Sequence, residues 1–320
     1  MISSDSTIFV AGHRGMVGSA LVRRLEAGGY RNIITAGRSE LDLLDQAAVR
    51  AFMNRERPTW VVVAAAKVGG VHANNIYRAD FLYENLTIET NLVQAAHAAD
   101  VNQLLFLGSS CIYPRDCPQP IREDYLLTGP LETTNEPYAI AKLAGVKLCE
   151  AFAAQYGRRY FSIMPTNLYG PNDNYDLEMS HVLPALLRKA HEAKVRNDDA
   201  MTVWGSGSPR REFLHVDDLA EACLFLMERD HEGQLLNIGV GNDVTIRELA
   251  EAIARVVGFE GALQFDATKP DGTPRKLLDV SRMKALGWTA RIGLEEGLAQ
   301  TYADFLSAPR RGDDGSVAAG

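Results

Sequence analysis

The chain has few cysteines and no long hydrophobic run. The four cysteines form no CxxC pair and no metal-like spacing with histidine, and they are Cys111, Cys117, Cys149 and Cys223. This pattern favours reduced thiols in the cytoplasm over a disulfide framework, and it predicts no metal site. Residues 1–6 lack a signal-peptide pattern, and the apolar runs fall far below the roughly 18 residues of a membrane-spanning helix. We therefore expect a cytoplasmic protein without a membrane partner.

The chain also has no excess of basic residues. The chain has 33 basic and 41 acidic residues, which gives a formal net charge of -8. This balance argues against a nucleic-acid partner, because nothing indicates an extended grip on a phosphate backbone, but it allows a local basic pocket for a small anion. The length of 320 residues and the hydrophobic content of 46% allow a large core in one or two domains.

Short apolar runs alternate with helical patterns through the first half of the chain. We predict strands over residues 7–12, 33–37, 60–66, 104–108 and 160–165. This alternation is typical of an α/β fold with a Rossmann-type doubly wound parallel sheet.

The alternation weakens after about residue 169, where glycine, proline and asparagine become frequent. We predict an NADP-binding Rossmann domain over residues 1–170, to which residues 213–243 return. A smaller α/β substrate-binding lobe is predicted over residues 171–212 and 244–307. Residues 308–320 have little apolar content and are predicted to form a flexible tail.

A glycine-rich turn, GHRGMVG at 12–18, connects the first predicted strand to a helix. Gly12, Gly15 and Gly18 permit a tight turn and a close backbone approach. Met16 and Val17 open the helix, whose unpaired N–H groups suit a pyrophosphate. The bare pattern is weak, but its place between a strand and a helix favours dinucleotide binding over an ordinary turn.

The second predicted strand leads to Arg38, where enzymes that prefer NAD usually have an acidic residue for the ribose hydroxyls. Arg14 and Arg38 together suit a 2′-phosphate, because guanidinium groups make forked, charge-assisted hydrogen bonds. The alternative is a pair of solvated surface arginines. We predict NADP, in its reduced form NADPH, as the cofactor.

Tyr138 and Lys142 lie four residues apart in a predicted helix that begins near Asn135 and Pro137 and ends at Gly157. This spacing places both side chains on one face. Because free tyrosine titrates near 10, we expect the Lys142 ammonium, at about 4 Å, to lower the pKa of the phenol. The lysine also suits the ribose hydroxyls of a cofactor. Many helices carry this pair by chance, but the upstream glycine turn favours a catalytic function.

Ser109 follows the fourth predicted strand, at the carboxyl edge where open parallel sheets bind ligands. Its hydroxyl is placed to polarise a substrate carbonyl beside Tyr138. The alternative is a serine in a strand-ending turn.

These motifs resemble the extended short-chain dehydrogenases/reductases, and within them the epimerase-reductases that act on GDP-linked 4-keto-6-deoxy sugars. The similar stretches span nearly the whole chain, and they are GHRGMVGSA, AAAKVGG, LLFLGSSCIYP, TNEPYAIAKLAG, MPTNLYGP, REFLHVDD and KPDGTPRKLLDV. The glycine turn and the YxxxK pair alone indicate only the superfamily, whereas the complete set is specific.

The resemblance implies proton exchange at carbons 3 and 5 of the keto sugar, followed by hydride transfer from NADPH to carbon 4. Tyr138 would then protonate the new alkoxide, with Ser109 on the same oxygen and Lys142 beside the cofactor. Cys111 and His181 match the family's acid and base for epimerisation, and both side chains titrate near enough to neutrality. Which of the two is the base stays open.

The resemblance also implies contact residues and a homodimer. For NADP they are Gly12, Arg14, Gly15, Met16, Val17, Gly18, Arg38, Leu107, Gly108, Ser109, Ser110, Lys142, Pro165, Thr166, Asn167, Leu168 and His181. For the GDP sugar they are Lys189, Trp204, Arg211, Asp271 and Lys276. The family often has arginine at the position of Lys189, so a forked contact is lost there. Trp204 fits a packing role equally well.

Two other classes fit parts of the sequence. One is a sugar-nucleotide epimerase or dehydratase with tightly bound NAD, against which Arg14 and Arg38 argue. The other is a non-catalytic sensor of the dinucleotide. Such sensors usually lose the tyrosine or the lysine, and this chain has both.

Overall fold

The computed structural model describes residues 1–231, 235–269 and 271–307, so the predicted tail lies outside the described residues. The strands are β1 (Ile8–Ala11), β2 (Ile33–Ile34), β3 (Trp60–Val63), β4 (Gln103–Leu107), β5 (Arg159–Pro165), β6 (Asn167–Tyr169), β7 (Ala200–Trp204), β8 (Arg210–Arg211), β9 (Phe213–His215), β10 (Leu236–Ile238), β11 (Val244–Thr245), β12 (Ala262–Asp266) and β13 (Arg275–Lys276). The helices are α1 (Met16–Ala27), α2 (Gln46–Glu56), α3 (Val71–Ile76), α4 (Arg78–Ala98), α5 (Glu136–Tyr156), α6 (Val182–Arg196), α7 (Val216–Met227), α8 (Ile246–Val257), α9 (Ser281–Ala285) and α10 (Leu294–Ser307). Within the described ranges, no helix has the length and apolar content needed to cross a membrane.

Six parallel strands form the central sheet in the order β10, β5, β4, β3, β1, β2. The predicted fold class is therefore confirmed. Three strands are shorter than predicted: β1 lacks one residue at each end, and β2 and β3 end early. β2 ends at Ile34, and soon afterwards the Gly37 N–H donates to the Glu40 carboxylate at 2.7 Å in a turn. β3 ends at Val63 because its register partner, Ala11, is the last residue of β1.

Helices cover both faces of this sheet. Ile8 and Val10 of β1 point into the core shared with α1 and α7, whereas Phe9 and Ala11 point into the core shared with α2, α4 and α5. This alternation follows from the two-residue period of a strand, which sends successive side chains to opposite faces. Strands buried on both faces read as continuous apolar runs, and this made them recognisable in the sequence.

Helix α5 has the ends that the sequence predicts. Asn135 precedes its first residue, Pro137 lies in its first turn, and Gly157 terminates it in the left-handed region with φ of 67°. Tyr138 and Lys142 therefore occupy the first two turns of a long helix that packs against α4.

The remaining elements form smaller sheets around a third core. β12 pairs with β7, β8 lies between β11 and β13, and β6 pairs with β9. Residues of α6, α8 and α10, including Leu187, Ile253 and Leu298, fill the third core. β10 joins the central sheet, which is consistent with the predicted return of residues 213–243 to the first domain. The division into two units, with that return, stays a prediction.

Candidate active site

The turn between β1 and α1 presents backbone N–H groups at the carboxyl edge of the sheet. Gly15 precedes α1 and provides no side-chain cap for the first N–H groups of the helix. Gly12 has a φ of +87°, and a Cβ on Gly18 would lie 2.0 Å from the Gly12 carbonyl oxygen. The first turn, which begins with Met16 and Val17, is therefore held close to the end of β1. This arrangement fits a pyrophosphate.

The Arg14 guanidinium lies against the turn that follows β2. A Cβ on Gly37 would lie only 2.8 Å from Arg14 Nη2, so glycine leaves room for the arginine. Arg38 is the next residue of that turn, and both arginines are exposed. The end of β2 therefore carries two guanidinium groups and fits a 2′-phosphate.

The ends of β4 and β5 meet at the same edge of the sheet. Leu107 ends β4, and the Gly108 N–H donates to the Ile163 carbonyl of β5 at 2.9 Å. Ser110 follows in a buried turn, Ser110–Ile112. This hydrogen bond fixes the backbone after β4 against β5.

Residues 165–168 continue this edge. Pro165 ends β5, and the Thr166 N–H donates to the Ile238 carbonyl at 3.0 Å. The Asn167 amide donates to the Glu212 carbonyl at 2.8 Å, and Leu168 follows in β6. The Asn167 side chain thus joins β6 to the Glu212 backbone, a contact that the sequence did not indicate.

Three predicted catalytic side chains come together at the end of β4. The side chains of Ser109 and Tyr138 lie close to each other, where the turn after β4 packs against α5. Ser109 Oγ also accepts from the Cys111 N–H at 3.2 Å. The Phe81 ring of α4 packs edge-on against the Tyr138 ring, with 6.4 Å between centroids.

The surroundings raise the pKa of Tyr138. Burial is the main cause, the charges of Cys111 and Glu89 add to it, and the hydrogen bond with Ser109 acts in the opposite direction. The expectation that the Lys142 ammonium lowers the pKa of this phenol is therefore wrong. The phenol is therefore protonated at neutral pH, and a proton transfer from it depends on donors that stabilise its anion in the complex with substrate and cofactor.

Lys142 instead forms an ion pair with Glu89 of α4. Lys142 Nζ lies 2.8 Å from Glu89 Oε1, and both side chains are at most 3% exposed. The ammonium also lies 4.8 Å from the centroid of the Phe106 ring. Burial raises the pKa of Glu89, and Lys142 opposes that shift. Sequence reasoning missed Glu89, because a lone glutamate in a distant helix carries no motif.

Lys276 lies beside the two residues predicted for epimerisation. Its Nζ donates to Cys111 Sγ at 3.4 Å. Burial lowers the pKa of His181, and the charge of Lys276 lowers it further. Tyr138 is half-buried and His181 is exposed, so a ligand can reach both side chains.

An exposed aromatic ring with two cations lies on the second lobe. Trp204 is 51% exposed, and Lys189 Nζ lies 4.6 Å from its ring centroid. Burial lowers the pKa of Lys189. Lys269 Nζ lies 5.4 Å from the same ring and was not predicted. Such a ring can stack on a base while the cations bind phosphate.

Arg211, Asp271 and Lys276 come from neighbouring segments of the same lobe. Lys276 is the register partner of Arg211 across β13 and β8. The Asp271 carboxylate accepts from the Ser206 N–H at 2.7 Å and from the Ser206 hydroxyl at 2.8 Å. Burial lowers the pKa of Arg211, while Asp271 and then Cys111 oppose that shift. The predicted substrate residues therefore extend from Trp204 toward Cys111.

All four cysteines are free, as predicted. Cys149 and Cys223 are buried, whereas Cys111 and Cys117 are half-buried. Among the residues that the structure describes, no cluster of His, Cys, Asp and Glu side chains is arranged to hold a metal ion.

The fold and this cleft define a dinucleotide-dependent enzyme of the short-chain dehydrogenase/reductase class. The model of the NAD dependent epimerase/dehydratase family matches residues 8–239, and the chain belongs to that family. It is similar to GDP-L-fucose synthase of Escherichia coli (strain K12), with 58% identity over 312 residues that cover 95% of this chain and 97% of that protein. GDP-L-fucose synthase 1 of Arabidopsis thaliana is 58% identical over 306 residues, which cover 96% and 95%.

A solved structure gives the same relationship. The GDP-L-fucose synthetase from Naegleria fowleri bound to NADP superposes with a TM-score of 0.88 at 28% sequence identity. The match covers 96% of this chain and 95% of that one.

Proposed function

We propose that this chain converts GDP-4-keto-6-deoxy-D-mannose to GDP-L-fucose by 3,5-epimerisation and NADPH-dependent 4-keto reduction. One cluster supports this proposal more than any other observation. Tyr138 lies beside Ser109, and Cys111, two residues after Ser109, accepts from Lys276. A proton donor for reduction and a thiol for proton exchange therefore share one cleft.

The residues at the sheet edge suit NADPH, which supplies hydride to carbon 4 when it is bound. The first turn of α1 would bind the pyrophosphate, and Arg14 and Arg38 would bind the 2′-phosphate. Lys142 would donate to the ribose hydroxyls. The segments 107–110 and 165–168, together with His181, would border the nicotinamide half.

Ser109 and Tyr138 serve the reduction. The Ser109 hydroxyl hydrogen-bonds the keto oxygen and polarises it. As negative charge develops on that oxygen, the Tyr138 O–H bond breaks and its proton forms the new hydroxyl at carbon 4. The hydrogen bond from Ser109 stabilises the phenolate, which then takes a proton from solvent.

Cys111 and His181 serve the epimerisation. The keto group acidifies the hydrogens on carbons 3 and 5, and one of the two side chains removes a proton to leave an enolate. The other side chain returns a proton on the opposite face, so each inversion is proton-neutral. Ser109 and Tyr138 hydrogen-bond the enolate oxygen, so the same two donors act in both reactions.

The second lobe would bind the GDP group. Lys189, Arg211 and Lys276 would neutralise the diphosphate, and Trp204 would stack on guanine. Asp271 would shape the neighbouring turn through Ser206 and accept from a base or sugar group. In this assignment residues 171–212 and 244–307 form the substrate lobe.

A homodimer and a cytoplasmic setting complete the proposal. The outer faces of α4 and α5 expose two large apolar side chains, Tyr83 at 68% and Ile140 at 41%. A second copy of α4 and α5 would cover these two side chains. Four free thiols suit the reducing cytoplasm.

Mass analysis of the product tests this function. Incubation with GDP-4-keto-6-deoxy-D-mannose and NADPH should consume NADPH and raise the mass of the sugar nucleotide by H₂, with the L-fucose configuration by NMR. Conversion without added cofactor would support an epimerase with bound NAD instead. Binding of NADPH without consumption would support a sensor.

A further inference from the structure

The buried pair of Glu89 and Lys142 needs a physical explanation. Burying two charges costs free energy that their mutual attraction recovers only in good geometry, and an apolar pair of the same volume is often equally stable. The side chain of Glu89 is 1% exposed and that of Lys142 is 3% exposed. Stability alone is therefore a weak reason for a carboxylate at this position.

The surrounding residues leave a space for this carboxylate. Glycine is unfavourable within a helix, yet Gly145 lies in the middle of α5. A Cβ on Gly145 would lie 2.7 Å from Glu89 Oε2 and 2.3 Å from Phe106 Cζ. The glycine thus makes room for the carboxylate and for the ring on which the Lys142 ammonium rests.

We propose that Glu89 is a positioning residue for the reduction. Its carboxylate fixes the ammonium of Lys142, which lies one helical turn after Tyr138, against the Phe106 ring. The lysine side chain has many rotamers, and the ion pair selects the one that the cofactor ribose requires. This inference rests on the proposed function, in which Lys142 serves NADPH. The competing explanation is that the pair only joins α4 to α5.

Glu89→Gln separates these explanations, because it keeps the size of the side chain and removes its charge. NADPH oxidation with the keto sugar should slow by roughly 100-fold, the cost of a misplaced catalytic group. Solvent-deuterium uptake at carbons 3 and 5 should stay at the wild-type rate, since Cys111 and His181 do not contact Glu89. Glu150→Gln is the matched control, because it removes a solvent-exposed carboxylate that pairs with Lys147 on the same α5.

A second set of variants keeps the test valid if Glu89→Gln folds poorly. The double variant Lys142→Met/Glu89→Gln should reduce the keto sugar no more slowly than Lys142→Met, because Glu89 positions the lysine and the loss of its charge otherwise only lowers the pKa of Tyr138. Glu89→Asp, which keeps the charge with a shorter reach, should give an intermediate rate. A further loss in the double variant would overturn the proposal, as would equal losses of reduction and deuterium uptake in Glu89→Gln.

The affinity for NADPH gives a readout that does not depend on the sugar substrate. Fluorescence titration should show the dissociation constant of Glu89→Gln raised by about tenfold, the size of one charge-assisted contact. Glu150→Gln should bind as the wild type does. Failure of the wild type to act on the keto sugar would refute the proposed function, whereas wild-type affinity and reduction in Glu89→Gln would refute the role of Glu89.

Discussion

The hydroxyl of Tyr138 supplies the proton in the proposed reduction, and its neighbours favour the protonated form. Burial raises the pKa of this phenol, the charges of Cys111 and Glu89 add to the shift, and the hydrogen bond with Ser109 opposes it. Lys142 Nζ forms an ion pair with Glu89 Oε1 at 2.8 Å. The phenol therefore holds its proton at neutral pH and gives it up only when the developing alkoxide of the substrate is there to accept it.

Cys111→Ser, which replaces one sulfur atom by oxygen, should impair epimerisation without changing the binding of NADPH. The serine hydroxyl has nearly the same shape but exchanges protons with carbon acids poorly, so deuterium uptake at carbons 3 and 5 should fall by about 100-fold or more. The affinity for NADPH should not change. NMR in deuterium oxide and fluorescence titration measure the two quantities, and wild-type deuterium uptake would remove the thiol from the mechanism.

Arg38→Ser should weaken the preference for NADP over NAD. Loss of one guanidinium from a 2′-phosphate removes a charge-assisted contact, so the KM for NADPH should rise by roughly tenfold while the KM for NADH stays the same. Arg31→Ser, which changes an exposed arginine just before β2, is the control. Equal changes for both cofactors would show that Arg38 does not contact the 2′-phosphate.

At the scale of elements, the sequence predicted those parts of the fold that depend on local patterns. The buried strands show as apolar runs, and α5 shows through Asn135, Pro137 and Gly157. The length of β2 did not follow from the sequence, because the turn at Gly37 and Glu40 ends that strand. The partner of Lys142 was also missed, since Glu89 belongs to another helix and the contact depends on how α4 packs on α5. Resemblance to known enzymes supplied Cys111 and His181, which no local pattern identifies.

Gly18→Ala should disrupt the close packing of α1 against the turn that follows β1. The new Cβ would lie 2.0 Å from the Gly12 carbonyl oxygen, so the helix must move away from the strand. We expect the affinity for NADPH to fall by about tenfold or more, with a loss of stability of about 1–3 kcal/mol. Gly293→Ala is the matched control, because a Cβ there meets nothing within 4 Å. Wild-type NADPH binding by Gly18→Ala would contradict the assignment of this turn to the pyrophosphate.

For the whole molecule, residues at the edge of the central sheet meet a cation from the predicted substrate lobe. Ser109 and Tyr138 belong to the sheet edge and α5, whereas Lys276 comes from β13 and reaches Cys111 at 3.4 Å. This arrangement lets the substrate exchange protons and accept hydride without leaving the site. Ile140, exposed on α5, lies two residues after Tyr138, so dimerisation through α4 and α5 would also support the catalytic helix.

Tyr83→Glu should break the proposed dimer. It places a charge on the outer face of α4, where burial against a second copy would be costly. Analytical ultracentrifugation should show a dimer for the wild type and a monomer for this variant. Val195→Glu is the control, because Val195 is equally exposed, at 66%, but lies on α6 of the other lobe. A Tyr83→Glu protein that remains dimeric would place the interface elsewhere.

The central claim is that one cleft carries two separable reactions, and Tyr138→Phe in deuterium oxide tests it most directly. With the keto sugar and NADPH, we expect NADPH oxidation to fall by about 1,000-fold or more because the proton donor is gone. Deuterium should still enter at carbons 3 and 5, through Cys111 and His181. Reduction that persists at the wild-type rate would contradict the claim, and so would the loss of both reactions in a variant that still folds and binds NADPH.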